Sequence, residues 1–239
     1  AKIGANYRVN DNLALFASWA NGFRAPQTTD LYRLQNQQTI GSIESEEINS
    51  IEAGLRGSFA NLQLQATAYS MQKHNFFFRD DDGLNVTDGE TTHMGVELNV
   101  TYQLIANLSL SASYAYAEHE YDFNLASSGV VNGNKIDTAP RQQGNDRLNW
   151  QATSSTDIEL AWQHIGNYYL DPANEHEYSG HDLLNLRTQL RVNKHLSLNA
   201  NIENLTDEKY ASRADYAFGS YRYFGGQPRT FYLGGQYAF

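Results

Sequence analysis

The sequence of 239 residues contains no cysteine, which excludes a disulfide framework and any zinc site built from thiolates. Basic residues are also scarce, since 17 Lys and Arg stand against 27 Asp and Glu for a formal net charge of −10 at pH 7. A protein that binds nucleic acid by neutralising phosphates needs the opposite balance. We therefore expect no nucleic-acid partner.

Long apolar runs are missing as well, and no stretch approaches the roughly 18 apolar residues that mark a membrane-spanning helix. This absence leaves membrane strands open, because a barrel strand needs only about 9–11 residues and alternates apolar with polar side chains. The first ten residues, AKIGANYRVN, lack the apolar core of a signal peptide and begin inside a strand-like pattern. We expect the chain to be the C-terminal piece of a longer protein.

What the sequence does contain is apolar–polar alternation of period two, which predicts β-strands. In the clearest segment Leu184, Leu186 and Leu190 alternate with Asn185 and Arg187. About eleven such segments follow one another along the chain. The sequence is also rich in aromatic residues, with 16 Tyr and 11 Phe, and aromatic girdles at the two rims of a membrane barrel are one physical reason for such a composition.

The last predicted strand has an apolar face that runs to the final residue. Most chains end in polar residues that fray, whereas an aromatic terminus on an apolar strand face is typical of outer-membrane β-barrels. We therefore predict that this face serves as the C-terminal signal for barrel assembly, with the assembly machinery as a partner. Its residues are Phe231, Leu233, Tyr237 and Phe239.

The connections between the predicted strands alternate between short and long. Short ones lie at residues 10–12, 60–61, 105–107, 154–157 and 193–195, and long ones at 22–45, 73–91, 120–146, 167–182 and 205–228. Short periplasmic turns opposite long extracellular loops are the pattern of an outer-membrane barrel, whereas a soluble β-sandwich mixes connection lengths. The polar faces would then line a wet lumen, and the last strand would end at the periplasmic side.

The predicted fold class is an all-β, antiparallel transmembrane β-barrel of which this chain, residues 1–239, is the C-terminal part. Eleven is an odd number, whereas bacterial single-chain barrels have even strand counts, and an isolated set would leave two open edges in the membrane. Eleven is half of 22, the strand number of the plugged outer-membrane transporters. The N-terminal strands are therefore expected outside this chain.

Several segments carry a family likeness that extends over essentially the whole chain. ALFASWANGFRAPQTTDLY (14–32) and IESEEINSIEAGLRGSF (43–59) resemble the middle of TonB-dependent outer-membrane receptors. LNANIENLTDEKYA (198–211) and PRTFYLGGQYAF (228–239) are similar to the C-terminal signature of that family. The resemblance implies a 22-stranded barrel with an N-terminal plug that imports a scarce nutrient with energy coupled through TonB.

Within that family the residues favour a receptor for a ferric siderophore, without enzyme activity and without a cofactor. Haem receptors share the Phe-Arg-Ala-Pro motif found at residues 23–26, but residues 27–47 contain no His. Haem, cobalamin or an oligosaccharide remain alternative cargoes, and a passive porin or a barrel enzyme are alternative classes. In each case the barrel would contact outer-membrane lipid and lipopolysaccharide.

Candidate ligand contacts lie in or beside the predicted long loops, where aromatic rings and guanidinium groups suit a ferric chelate. They are Arg24, Phe76, Phe77, Arg79, Tyr168, Tyr169, Tyr221 and Tyr223. Two other patterns favour ordinary loops, because neither has the ligand spacing of a metal site. They are the acidic run at 80–83 and the group of His164, His176, His181, Glu175 and Glu177.

Three arginines lie on predicted lumen faces: Arg56, Arg187 and Arg191. The favoured interpretation is that they pair with lumen acids such as Glu52, Glu97 and Glu203, or with the plug. The alternative is that they guide an anionic chelate through the lumen.

Overall fold

One antiparallel sheet dominates the molecule. The computed structural model describes residues 1–27, 44–79 and 85–239, without the side chains of residues 78, 79 and 85–87, and eleven strands of this part form the sheet. The strands of the chain are β1 (Lys2–Asn10), β2 (Leu13–Arg24), β3 (Glu46–Phe59), β4 (Leu62–Arg79), β5 (Asn85–Ile105), β6 (Leu108–Tyr121), β7 (Gln142–Thr153), β8 (Thr156–Ile165), β9 (Tyr168–Tyr169), β10 (Glu177–Tyr178), β11 (His181–Arg191), β12 (Leu196–Glu203), β13 (Ala211–Ala217), β14 (Ser220–Gly225) and β15 (Thr230–Tyr237). The pairs β9–β10 and β13–β14 form two small hairpins, and the other strands make up the sheet in chain order from β1 to β15.

The register of the sheet places apolar residues beside apolar residues, and polar residues beside polar ones, on neighbouring strands. Leu186 on β11 faces Leu160 on β8, and at the next position Arg187 faces Glu159. Because side chains alternate between the two faces of a strand, this register gives the sheet one apolar and one polar face. The prediction of an antiparallel all-β fold with alternating faces is confirmed.

The apolar face is strongly exposed. Ile3, Trp19 and Ile51 lie side by side on β1, β2 and β3 and are 69%, 40% and 61% exposed. Leu233 on β15 is 87% exposed. A contiguous apolar surface of this extent needs a partner or a lipid environment.

On the polar face, two large rings lie directly on glycines of the neighbouring strand. Phe16 is paired with Gly54, and Tyr69 is paired with Gly95. A Cβ atom on Gly54 would lie 2.3 Å from the carbonyl oxygen of Ala66 and 2.5 Å from the Phe16 ring, and one on Gly95 would lie 2.6 Å from the Tyr69 hydroxyl. Only glycine lets these rings pack against the backbone of the sheet.

The predicted long loop at residues 73–91 is wrong, because β4 and β5 pair across much of it. The two strands have 18 and 21 residues, about twice the 9–11 residues that cross a bilayer. Register shifts on both sides of Phe76 interrupt the alternation, and Asn75 has a φ of 56°. A period-two pattern is lost at such bulges, although the pairing continues beyond them.

Three long connections lie at one end of the sheet: residues 122–141, 166–180 and 204–229. We call them the loop layer. They coincide with three of the predicted loops but contain the two small hairpins and a 3₁₀ turn at Ala126–Ser128, which the sequence did not indicate. Within the described ranges, no helix has the length and apolar character needed to cross a bilayer.

Candidate functional site

The loop layer has a buried apolar core of its own. The cluster comprises Tyr168, Leu170, Tyr178, Ala211 and Ala214, all at most 9% exposed. Its members come from two connections, 166–180 and 204–229, which therefore pack against each other. Tyr168, predicted as a ligand contact, is only 7% exposed, a position that suits packing rather than contact with a ligand.

Hydrogen bonds join the same two connections. The hydroxyl oxygen of Tyr168 accepts a hydrogen bond from the backbone N–H of Ala214 at 3.1 Å, and that of Tyr178 accepts one from Ala211 at 3.1 Å. The backbone N–H of Tyr216 donates to the carbonyl of Leu170 at 2.9 Å. Since buried N–H groups need partners, the two tyrosines hold β13 in place.

The connection 122–141 is attached to 166–180 by polar contacts. The backbone N–H of Lys135 donates to the Asn174 side chain at 2.8 Å, and the Asn174 amide donates back to the Lys135 carbonyl at 2.8 Å. The N–H of Thr138 donates to the carbonyl of Tyr169 at 2.8 Å. Tyr169, another predicted ligand contact, is half-buried at this junction. The three connections thus form one folded body.

The hairpin β13–β14 projects from this core and ends in a two-residue turn, Phe218-Gly219. Both turn residues have positive φ, 54° and 72°, which is the conformation of a type I′ turn. The ring of Phe218 at the tip is 89% exposed. Behind the tip, the predicted contacts Tyr221 and Tyr223 are 52% and 56% exposed, with rings parallel to within 3° and 6.0 Å apart.

The opposite face of the hairpin carries a charged group that sequence reasoning missed. Asp215 is 6% exposed. Its carboxylate forms salt bridges with Arg213, at 2.9 Å, and with Arg222. The two guanidinium groups also lie over the rings of Phe224 and Phe218, at 5.4 and 5.7 Å. One carboxylate shared by two arginines leaves a net positive charge beside aromatic rings. The sequence feature that could have indicated this group is the spacing Arg-x-Asp at Arg213 and Asp215 in β13, followed by Arg222 in β14.

A second cluster lies where β2, β3 and β4 reach the long-connection end, and we call it the rim cluster. Its centre is Glu46, whose side chain is 5% exposed and which contacts Arg24 at 2.7 Å and Lys73 at 3.6 Å. Glu46 also accepts the backbone N–H of Phe77 at 2.9 Å. Arg24 lies 5.7 Å from the Phe77 ring, and Lys73 lies 4.2 Å from the Phe76 ring.

The rim cluster brings together three of the predicted contacts, Arg24, Phe76 and Phe77. Glu46 was not anticipated, although the register pairs it directly with Arg24. The side chain of Arg79, also predicted as a contact, and the acidic run at 80–83 lie outside the described residues.

Two of the three arginines predicted on the polar face have acidic partners, as expected, but the partners are not the acids suggested by the sequence. Arg187 contacts Glu159 at 2.9 Å and Arg191 contacts Asp157 at 3.2 Å. Both acids lie on β8, which pairs with β11, so the register decides the pairing. The acids suggested by the sequence were Glu52, Glu97 and Glu203.

Arg56 has a different environment. Its Nε donates to the side-chain oxygen of Gln65 at 3.1 Å, and its guanidinium lies 4.6 Å from the Phe16 ring. The positive charge of Arg56 is thus stabilised by a cation–π contact with Phe16 and a hydrogen bond to the Gln65 amide oxygen.

The histidines considered as metal ligands have separate partners. His164 contacts Asp182, His176 contacts Asp171, and His181 contacts Tyr178. In the part of the chain that the structure describes, no group of three or more His, Asp or Glu side chains could hold a metal ion.

Asn204 and Asp207 close the base of the connection 204–229. The Asn204 amide donates to the carbonyl of Gln227 at 3.0 Å and to that of Glu208 at 2.9 Å. Asp207 accepts the backbone N–H of Arg229 at 3.0 Å and pairs with its side chain at 3.3 Å. These contacts give a structural reason for the Asn-Leu-Thr-Asp segment within the motif at 198–211.

The four residues of the predicted assembly signal lie on the apolar face of β15 or just beyond it. Phe231, Leu233 and Tyr237 are 67%, 87% and 59% exposed, and Phe239 is fully exposed. The ring of Phe239 contacts that of Tyr237 edge-on at 5.4 Å. The side chain of His195, in the short turn before β12, contacts the carbonyl of Ala238 at 2.9 Å and so ties down the terminus.

With this geometry established, comparison with known proteins places the chain in a family. Residues 2–205 match the family described as TonB dependent receptor-like, β-barrel. The chain belongs to this family. The sheet is thus part of the β-barrel wall of a TonB-dependent receptor. Its exposed apolar face corresponds to the surface that such outer-membrane proteins turn toward lipid.

Individual relatives of this TonB-dependent receptor chain are distant in sequence. PiuA of Acinetobacter baumannii, named a probable TonB-dependent siderophore receptor, is 23% identical over 225 residues, which cover 88% of this chain and 30% of PiuA. The chain therefore spans about a third of the length of the relatives it matches. These relatives are named as receptors or transporters, not as enzymes.

Solved structures of TonB-dependent receptors show the same fold. The ferric citrate transporter FecA, in its unliganded form, aligns with a TM-score of 0.83 and 21% identity over 99% of this chain and 37% of FecA. The ferric-catecholate import receptor Fiu of Escherichia coli K12, in a closed form, aligns with a TM-score of 0.81 and 20% identity over 100% of this chain and 34% of Fiu. At such identities the likeness concerns the fold alone.

Proposed function

We propose that the receptor containing this chain imports a ferric siderophore across the outer membrane by TonB-dependent transport. Membership of the family supports the transport class, and the names of PiuA, Fiu and FecA support an iron chelate as cargo. In this proposal the loop layer and the rim cluster are extracellular, and Phe239 lies at the periplasmic side. The plug and the TonB-contacting segment belong to residues beyond this chain, which contributes eleven strands of a 22-stranded barrel.

The single observation that supports the ligand assignment is the pair of exposed arginines on the hairpin β13–β14. The hairpin is fixed to a buried core, yet it exposes 64% of the Arg213 side chain and 42% of that of Arg222. Guanidinium groups match the paired oxygens of carboxylates and catecholates, and the rings of Phe218 and Phe224, which lie beside these arginines, can stack on a planar chelate. Groups fixed in advance bind with a smaller entropy cost.

The rim cluster supplies a second contact surface in this proposal. Arg24 is 55% exposed while its partner Glu46 is buried, so the guanidinium stays oriented while part of it remains available. Phe76 and Phe77 lie beside it, and Arg79 follows on β4. The two surfaces belong to opposite halves of the sheet and would contact a chelate from two sides.

Growth of a deletion strain on defined iron sources tests the cargo. We expect growth to fail on at least one ferric siderophore and to return when the full-length gene is supplied. Unchanged uptake of every ferric chelate tested would contradict the proposal.

Binding by the purified full-length receptor tests the hairpin. We expect the double substitution Arg213→Gln and Arg222→Gln to weaken binding of that chelate by about tenfold or more, because a lost charge-assisted contact costs on the order of 1.4 kcal/mol or more. Arg229→Gln is the matched control, since this arginine is 41% exposed and pairs with Asp207 at the base of the connection. Equal affinities for all three proteins would remove the hairpin from the ligand site.

The C-terminal residues are proposed to act in assembly rather than in transport. Because the Phe239 side chain is fully exposed and its ring contacts that of Tyr237, it is available to the assembly machinery, and Phe239→Ala is expected to lower the yield of folded receptor in the outer membrane several-fold. Uptake per folded receptor is expected to stay unchanged. Phe218→Ala, at an equally exposed ring in the loop layer, is the control. A normal yield for Phe239→Ala, measured by heat-modifiable electrophoretic mobility, would contradict the assignment.

A further inference from the structure

A cavity of about 570 Å³ lies at the base of the connection 204–229, away from the arginine face of the hairpin. Its walls include three tyrosine rings, and three charged residues lie at its edge. The tyrosines are Tyr178, Tyr210 and Tyr223, and the charged residues are Asp207, Glu208 and Lys209. Ligand sites in proteins fall in this range of volume and combine aromatic walls with a few polar groups.

The aromatic walls are held in place by the surrounding structure. Tyr210 lies directly on Gly226, where a Cβ atom would collide with its ring, and its hydroxyl oxygen accepts the N–H of Gln227 at 3.2 Å. Tyr178 is fixed through the hydrogen bond from Ala211. Tyr223 packs against Tyr178 with ring centroids 6.4 Å apart and planes at 52°. The three rings therefore form a preformed surface.

The charges at the edge of the cavity cancel. Asp207 is paired with Arg229, and Glu208 and Lys209 carry opposite charges beside each other. Within the described part of the chain, the Glu208 side chain makes no hydrogen bond or ion pair. A ferric chelate with several negative charges would meet two carboxylates here, and a cation would meet Lys209. The cavity is thus suited to an uncharged ligand with hydroxyl groups.

We propose that this cavity binds a neutral sugar ring. The C–H face of a pyranose packs on tyrosine rings, whose amphipathic character suits a ligand that is apolar on one face and polar at its edge. The ring hydroxyls donate to the Glu208 carboxylate and accept from the Lys209 ammonium group. Such a ring belongs either to the core saccharide of lipopolysaccharide in the surrounding outer leaflet or to a free oligosaccharide. The proposal does not depend on the siderophore assignment.

Saturation-transfer NMR on the purified full-length receptor tests the site with two sets of probes. The first is core oligosaccharide released from lipopolysaccharide of the host strain, and the second is a set of neutral disaccharides comprising maltose, cellobiose and sucrose. We expect saturable binding of at least one probe. Preference for the core oligosaccharide identifies a lipid-bound sugar as the source, and preference for a disaccharide identifies a free one.

Two matched variants locate the binding. Tyr223→Ala is expected to weaken binding by about tenfold, whereas Tyr221→Ala, an equally exposed tyrosine two residues away outside the cavity wall, is expected to leave it unchanged. Glu208→Gln, which keeps an acceptor oxygen but removes the charge, is expected to weaken it by a smaller factor. Absence of saturable binding by every probe, or equal losses in the two tyrosine variants, would overturn the proposal. Ferric chelate binding by Tyr223→Ala, measured in parallel, separates this result from the siderophore assignment.

Discussion

The barrel wall and the loop layer are stabilised in different ways. Every residue of β1 is exposed, and so is all of β15 except Thr230, so the wall has no buried core in the described strands at its edges. The loop layer, by contrast, buries Leu170 and Ala214 almost completely. The wall depends on its hydrogen-bond ladder and on lipid as the apolar partner, whereas the loop layer is packed like a small soluble domain.

This difference predicts that the two regions respond separately to substitution. Changes in the wall should act on the stability of the whole barrel, because its strands form one continuous ladder. Changes in the loop layer should act mainly locally, since the buried members of its core all lie in the connections 166–180 and 204–229 and, of the wall, only Ile165 at the end of β8 packs against them. Such independence would let the loop layer vary while the wall keeps its structure.

Gly54→Ala in the wall is expected to have the largest effect. The added Cβ would lie 2.3 Å from a carbonyl oxygen of β4 and 2.5 Å from the Phe16 ring, so the backbone must shift. Overpacking of this kind costs about 1–3 kcal/mol, measured by urea unfolding of the full-length receptor in lipid vesicles. Gly22→Ala is the control, because a Cβ there meets only ordinary contact with Ile48 at 3.4 Å. Equal stabilities of the two variants would refute the steric argument.

Tyr168→Phe in the loop layer is expected to act locally. It removes the acceptor of the Ala214 N–H, and an unsatisfied buried N–H costs about 1–3 kcal/mol. Hydrogen exchange should quicken in residues 211–217 and stay unchanged in the wall. Tyr169→Phe serves as control, since its hydroxyl makes no hydrogen bond within the described residues. Faster exchange throughout the wall would show that the two regions are coupled.

The loop layer is also expected to respond to pH through Asp137. Burial raises the pKa of this carboxyl above its ordinary value of 3.8, and the charges of Asp171 and Asp215 add to the effect, while a hydrogen bond from Tyr121 at 2.7 Å opposes it. A carboxyl whose pKa is raised by folding contributes stability at low pH that is lost as the pH rises through the raised value.

Protection factors of residues 122–141, corrected for intrinsic exchange, should therefore fall as the pH rises from the ordinary Asp range toward neutrality. Asp137→Asn stays uncharged and should abolish this fall, without affecting the wall beyond Tyr121 at the end of β6. The same pH dependence in wild type and variant would assign it to other groups.

Arg187→Gln in the wall is expected to have the smallest effect. The pair with Glu159 has a good distance, 2.9 Å, but 48% of the arginine side chain is exposed. Exposed pairs contribute at most about 1 kcal/mol. A double-mutant cycle with Glu159→Gln isolates the interaction, and a coupling above about 2 kcal/mol would show that the lumen screens charge less than water does.

The wall could be predicted from the sequence because apolar and polar side chains alternate regularly along its strands. The alternation at Leu184, Leu186 and Leu190 fixes which face is apolar, and the length of short connections fixes which strands pair. The same reasoning failed at Phe76, where two register shifts hide the period, and at Arg187, whose partner depends on register rather than on charge alone.

The loop layer could not be predicted because residue type does not separate its two environments. Tyr168 is buried and Tyr221 is half exposed, yet both are tyrosines within predicted loops next to a second tyrosine or an arginine. What distinguishes them is contact with distant segments, such as the hydrogen bond across 46 residues from Ala214 to Tyr168. The same applies to Glu46, which is buried only because Arg24 and Lys73 converge on it.

The closure at Asn204 and Asp207 has a consequence for engineering. Because both residues fasten the start of the connection 204–229 directly to its end, at Gln227 and Arg229, the ends of β12 and β15 are joined independently of the segment between them. That segment, 209–226, also packs on the connection 166–180 through Ala211 and Ala214. Transplanting the two segments together between receptors of this architecture should therefore transfer recognition of an external molecule while the recipient keeps its own barrel.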